Sequence, residues 1–179
     1  MTIIKKMIPS ALTLTNLLLG FLAVVFTFKE QLEAAVLFIG LGLICDVLDG
    51  YLARKLDATS ALGKELDSLA DLVTFGIAPA MVIYVSMLHE VPIFGAACCL
   101  VYVCCCALRL ARFNVSQSEL TGFIGMPTPL AAVLALLVTP LMYLGWIAAL
   151  FFLLLSALMV SRLGFPSLKK AKPEPVEDC

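Results

Sequence analysis

Three features of the sequence predict an all-α membrane protein: six transmembrane helices preceded by a short interfacial amphipathic helix. Hydrophobic residues make up 62% of the 179 and charged residues only 14%, with a mean hydropathy of +1.06, far from the balance of a soluble domain. The apolar residues gather into runs close to the roughly 20 residues that a bilayer-spanning helix needs, at about 11–28, 34–53, 66–87, 92–111, 130–145 and 146–163. If the helices alternate in direction, Lys5, Lys6, Arg54, Lys55, Lys64, Arg109, Arg112, Arg162, Lys169, Lys170 and Lys172 all fall on one side of the membrane, and Lys29 falls on the other. The positive-inside rule then makes this a multi-pass protein of the cytoplasmic membrane with both termini in the cytoplasm. A formal net charge of −1 offers no basic surface for nucleic acid.

Residues 1–10 set Ile3, Ile4, Met7 and Ile8 against Lys5 and Lys6, the pattern of a helix lying on anionic headgroups, and Pro9 allows a bend into the first span. No small-x-small cleavage pattern follows the first apolar run, so the segment is expected to be a retained anchor. Thr13, Thr15 and Asn16 lie near the cytoplasmic end of that span, where they either bond neighbouring helices or touch substrate. After a turn at Lys29, Glu30 and Glu33, the second span runs inward to Asp46, Asp49, Gly50, Ala53 and Arg54, which share one helix face. Gly50 and Ala53 leave that face with little bulk, so a ligand or facing helix can approach the backbone.

A short polar connection at 55–62 leads to Gly63, Asp67 and Asp71, at i, i+4 and i+8 of the third helix, which Pro79 is expected to kink. His89 and Glu90 lie in an external turn without an assigned role. The fourth span ends at Arg109, Arg112 and Asn114, on the same side as the acids. The stretch GFIGMPTP at 122–129 cannot be regular helix throughout. Irregular backbone at that depth is tolerated where it lines a wet cavity. Spans five and six are almost without polar groups, as suits scaffold or a homodimer surface, and residues 165–179 form a polar tail. Cys98, Cys99, Cys104, Cys105 and Cys106 stand in an apolar run without a nearby His and are expected to pack as small residues, while Cys45 precedes the first acid.

Acids are costly in bilayer helices, so four of them in one helical hairpin mark a functional site. Asp46 and Asp49 are spaced i, i+3, and Asp67 and Asp71 i, i+4, which lets two facing helices converge all four. Carboxylates without His or thiolate partners are hard ligands, suited to Mg2+, Mn2+ or Ca2+ more than to zinc. Two divalent cations would relieve their repulsion and could hold both oxygens of a pyrophosphate. A purely structural acid cluster is disfavoured by its desolvation cost.

The stretch from Asp46 to Asp71 matches, without a gap, the pattern D-x2-D-G-x2-A-R-x8-G-x3-D-x3-D at Asp46, Asp49, Gly50, Ala53, Arg54, Gly63, Asp67 and Asp71. In this it resembles the CDP-alcohol phosphotransferase family. Ile8-Pro9-Ser10, Leu12 to Asn16, Gly20 to Ala23, Glu65 to Asp71, Phe75-Gly76, Ala78-Pro79, Arg109 to Asn114, and Gly125 with Pro127 and Pro129 are similar to the membrane-embedded members that take serine. Met126 stands where the family more often has Leu. The resemblance covers about residues 8 to 132. It implies transfer of the phosphatidyl group of CDP-diacylglycerol to the hydroxyl of L-serine, with CMP leaving. It also implies Asp46, Asp49 and Asp67 as metal ligands, Asp71 as ligand, general base or both, and Asn16, Gly50, Ala53, Arg54, Ser60 and Gly63 along the CDP-lipid.

Serine as acceptor needs a cation for its carboxylate. Arg109 or Arg112 can hold one in bidentate fashion, with Lys64 and Asn114 nearby. A sister enzyme using glycerol phosphate or inositol phosphate would share the signature but needs further cations, and an ether-linked donor stays open. A phospholipase-D-like transferase is excluded because it needs paired H-x-K motifs and His89 is the only histidine. A secondary transporter would carry its ionisable groups near the midplane between repeats, whereas here they gather at one end.

Overall fold

Backbone groups in a bilayer must be satisfied within their own segment, and every regular element among the described residues is helical. The computed structural model describes residues 2–116, 126–138 and 145–161. The side chains of residues 2–6, residues 122–125 of the proline-rich stretch, Arg162, and the tail with Cys179 lie outside the described residues. In chain order the elements are α1 (Thr2–Phe28), α2 (Leu32–Lys55), α3 (Ala61–Asp71), a π-helical turn (Leu72–Ile77), α4 (Ala78–Ser86), a 3-10 turn (Leu88–Glu90), α5 (Pro92–Ser116), α6 (Thr128–Val138) and α7 (Gly145–Val160).

Three stretches are long and apolar enough to cross a membrane, Met7–Phe28, Ala61–Ser86 and Pro92–Val115, and Thr128–Val138 and Gly145–Val160 are shorter apolar helices. Helix α2, with 24 residues, is about 36 Å long at the usual rise and carries the first two acids. Many large apolar side chains point outward, and alanines are frequent inside beside a few large residues such as Phe75, Tyr102 and Phe152. Leu18, Leu100 and Leu150 are 63%, 67% and 62% exposed, whereas Ala23, Ala35, Ala78, Ala131 and Ala148 are fully buried. Such a surface would aggregate in water. Small residues at the interfaces let helix backbones approach closely, as bilayer helices do.

Two apolar cores share this bundle. Helix α1 packs most extensively on α2, and α5 on α7, while α4 stands between them with Ala78 and Val82 in one core and Ala80 and Ile83 in the other. Close approach is extreme at Thr74 in the π turn. A Cβ at Gly20 of α1 would collide with Thr74 Oγ1, and one at Gly42 of α2 would lie 2.6 Å from Thr74 Cγ2. Thr74 Oγ1 donates to the Asn16 carbonyl at 3.0 Å, so α1 meets its hydroxyl, α2 meets its methyl, and three helical segments come together at one threonine.

Two expectations change. Helix α1 runs without a break from Thr2 through Pro9 to Phe28, so the segment before the first span is continuous with it, and Pro9 leaves the carbonyl four residues back without its helical N–H partner. Pro79 sits in the first turn of α4, and the irregularity falls in the π turn before it. Pro79 has no N–H for the Phe75 carbonyl four residues back, and Tyr102 Oη donates to that carbonyl instead, at 3.2 Å. Tyr102 is buried and stacks on Phe152 with ring centroids 4.2 Å apart. The described cysteines are free thiols, and Cys98 and Cys106 pack in the core around α5 and α7.

Candidate metal centre

Helix α2 ends at Lys55, and the chain reverses through Asp57, whose φ of 49° is tolerated by Asp better than by most residues. The Ala53 carbonyl accepts from Ala58 N at 2.9 Å and closes this turn. Ser60 then caps α3, its hydroxyl oxygen accepting from Gly63 N at 3.0 Å. After the reversal α3 packs on α1, as α2 does. Asp46, Asp49 and Asp67 each bring an oxygen to within 4.8 Å of the others. Asp71 is within electrostatic reach of Asp46, Asp67 and Asp49 and is buried, as is Asp49. Three of the four acids therefore meet, and Asp71 lies close enough for their charges to act on it.

Helix α1 supplies donors to this cluster. Thr13 Oγ1 lies 2.7 Å from Asp49 Oδ2, and Asn16 Nδ2 donates to Asp71 Oδ1 at 3.4 Å. Thr15 is exposed and bonds the Ala11 carbonyl of its own helix. Asn16 is fully buried, so it meets Asp71 from inside the bundle.

The cationic residues divide. Arg54 folds back over Gly50, where a Cβ would sit 3.4 Å from its Nη1, and its charge acts on Asp49. Arg109 is within electrostatic reach of Asp71. Its guanidinium donates to Thr128 Oγ1 and lies 5.8 Å from the centre of the Phe113 ring. Arg112 is exposed and donates to the Val160 carbonyl at the end of α7, at 3.3 Å. Asn114 Nδ2 donates to Ser68 Oγ at 3.0 Å and to Glu65 Oε2 at 3.3 Å, pinning the end of α5 to α3. Lys64 is exposed at the start of α3. Thus α5 turns Arg109 toward the acids and Arg112 toward α7.

The sequence offers little sign of Thr128 or Ser68. Each is a lone hydroxyl among helix formers, and only its neighbour across the interface shows its use.

These side chains fit a divalent cation. The donors are all carboxylate oxygens, they converge, and Asp67 Oδ1 is buried without a hydrogen-bond partner, which a cation would supply. A carboxylate cation site set into the end of an apolar helical bundle, flanked by Arg54 and Arg109, is the layout of a membrane-embedded, metal-dependent transferase. The chain belongs to the CDP-alcohol phosphatidyltransferase family, whose sequence model matches residues 6–162.

Among individual relatives, it is 44% identical over 170 residues to the CDP-diacylglycerol–serine O-phosphatidyltransferase of Bacillus subtilis (strain 168), covering 95% of this chain and 96% of the relative. A protein of the same name from Mycobacterium bovis (strain ATCC BAA-935 / AF2122/97) is 42% identical over 158 residues, 83% of this chain and 55% of the relative, so the chain spans about half of that longer protein. Another from Helicobacter pylori (strain J99 / ATCC 700824) is 36% identical over 179 residues, 92% of this chain and 73% of the relative.

Proposed function

We propose that the protein transfers the phosphatidyl group of CDP-diacylglycerol to the hydroxyl of L-serine, giving phosphatidylserine and CMP. The observation that carries the chemistry is the convergence of Asp46, Asp49 and Asp67 at the end of apolar helices. The choice of serine is supported by the names of the relatives, above all the one that matches over nearly its whole length.

Asp46, Asp49, Asp67 and Asp71 would hold two divalent cations, Mg2+ or Mn2+ with Ca2+ as a further candidate. Such cations stabilise charge on the phosphoryl oxygens of donor and leaving group. Arg54, beside Gly50 and Asp49, suits the diphosphate of the nucleotide, with Ala53, Ser60 and Gly63 lining the same end. Arg109 suits the serine carboxylate because its fork can bind two oxygens at once. Asp71 takes the serine hydroxyl proton as that oxygen bonds to the phosphorus next to the lipid. The bond from phosphorus to the CMP oxygen breaks, and CMP leaves with the electron pair. A carboxylate is a weak base, so the hydroxyl must be held close to Asp71 in the approach to the transition state.

In the same reading six spans place the acids and both termini on the cytoplasmic side, where serine and nucleotide are found, and the apolar faces of the bundle serve a homodimer. The test is purified protein given CDP-diacylglycerol with serine, glycerol phosphate or inositol phosphate, following CMP release. Serine is expected to be the best acceptor, and chelation should abolish turnover until Mg2+ or Mn2+ is returned. Preference for glycerol phosphate would replace the acceptor. Full turnover in excess chelator would remove the cations.

A further inference from the structure

We propose that Thr13 is a positioning residue of the metal centre, its hydroxyl fixing the Asp49 carboxylate so that the carboxylate's other oxygen is presented to a cation. The inference rests on the metal-centre reading above. None of the eight signature positions lies on α1, yet this helix places a hydroxyl against one of the acids. Thr13 and Asp49 are 36 positions apart in the chain, each is 4% exposed, and Thr13 Oγ1 lies 2.7 Å from Asp49 Oδ2.

The same hydroxyl is 3.0 Å from the Pro9 carbonyl. A hydroxyl has one proton for these two acceptors. The Pro9 carbonyl lies four residues back, where the Thr13 backbone N–H also points in an α-helix. Asp49 is the closer acceptor and the charged one, and charge-assisted bonds are the stronger, so the proton goes to Asp49. A β-branched side chain is stiff at χ1, which holds the oxygen in place. Metal-binding carboxylates depend on such outer partners, and losing one lowers metal affinity by about 10–100-fold.

The experiment is Mn2+ binding to the purified full-length protein in detergent, without substrate, read by electron paramagnetic resonance of free Mn2+. Thr13→Val keeps the volume and removes the hydroxyl, and should weaken Mn2+ binding by about 10–100-fold with helicity unchanged. Thr13→Ser keeps the hydroxyl in a smaller side chain, and should stay within a few-fold of the parent. A residue that merely fills space would give the reverse order, with Val like the parent and Ser impaired. If Thr13→Val does not fold, Thr13→Ala carries the same comparison with Thr13→Ser. Parental Mn2+ affinity in the hydroxyl-free variant overturns the proposal and leaves the metal centre standing. Absence of saturable Mn2+ binding by the parent overturns both.

Discussion

An aspartate and an asparagine differ at a single side-chain position, and at Asp67 that position decides whether a negative charge stands in the acid cluster. Asp67 Oδ1 is buried and accepts no hydrogen bond, so under the proposed function an uncharged side chain of equal volume would offer a cation a weaker, neutral ligand. Asp67→Asn, and likewise Asp46→Asn or Asp49→Asn, should lower CMP release by on the order of a hundredfold or more with the fold intact. A variant within about tenfold of the parent would remove that residue from the ligand set. At Arg109, replacement by Lys keeps the charge and loses the fork. The Michaelis constant for serine should therefore rise more than that for the CDP-lipid, and equal changes in both would take serine away from Arg109. The acids were legible from sequence because a carboxylate inside an apolar helix is too costly to be incidental. The hydroxyls were not. Thr15, Thr27 and Ser156 each bond the carbonyl four residues back in their own helix, and nothing in the sequence separates them from Thr13 or Thr128, which reach other helices. Arg109 and Arg112 share a helix face by spacing, but their long side chains diverge to Thr128 and Val160.

The third helical stretch, 61–86, is where sequence and structure differ most at the scale of an element. Its ends are announced by Ser60 at the start and by the turn at His89 and Glu90. Its irregularity is not, since a π turn changes hydrogen-bond register without changing composition. Pro79 points to trouble, but one turn late. Directly after Asp71, this turn delivers Thr74 into the gap left by Gly20 and Gly42. Gly20→Ala should force Thr74 away, lowering stability by about 1–3 kcal/mol as overpacking does, seen as a lower melting temperature in detergent. Gly40→Ala is the control, because a Cβ there meets nothing within 4 Å. Equal melting temperatures for the two variants would dissolve the idea that α1, α2 and the π turn are locked together at Thr74.

For the whole molecule, the expected spans at 11–28, 66–87 and 92–111 fall on the three helical stretches long and apolar enough to cross a membrane, because bilayer thickness sets run length and run length is visible in composition. How α6 and α7 dock was not visible, since neighbouring alanines fall on different sides: Ala132 joins the core around α1 and α2, and Ala131 joins the one around α5 and α7. The orientation proposed from the basic residues is open to direct measurement. Asp57, Glu30 and Glu90 are exposed. In a background without native cysteines, Cys placed at 30 or 90 should react with an impermeant maleimide in intact cells, and Cys at 57 only after lysis. Labelling of position 57 in intact cells would invert the topology. One arrangement described above also bears on how the protein is made. Thr13, Asn16 and the four acids all lie within the first 71 residues, and a ribosome delivers them before it has made α5, α6 or α7. The four acids therefore enter the membrane before Arg109 is made, so meeting their charge with protons or cations is already a problem of membrane insertion, before any lipid is turned over.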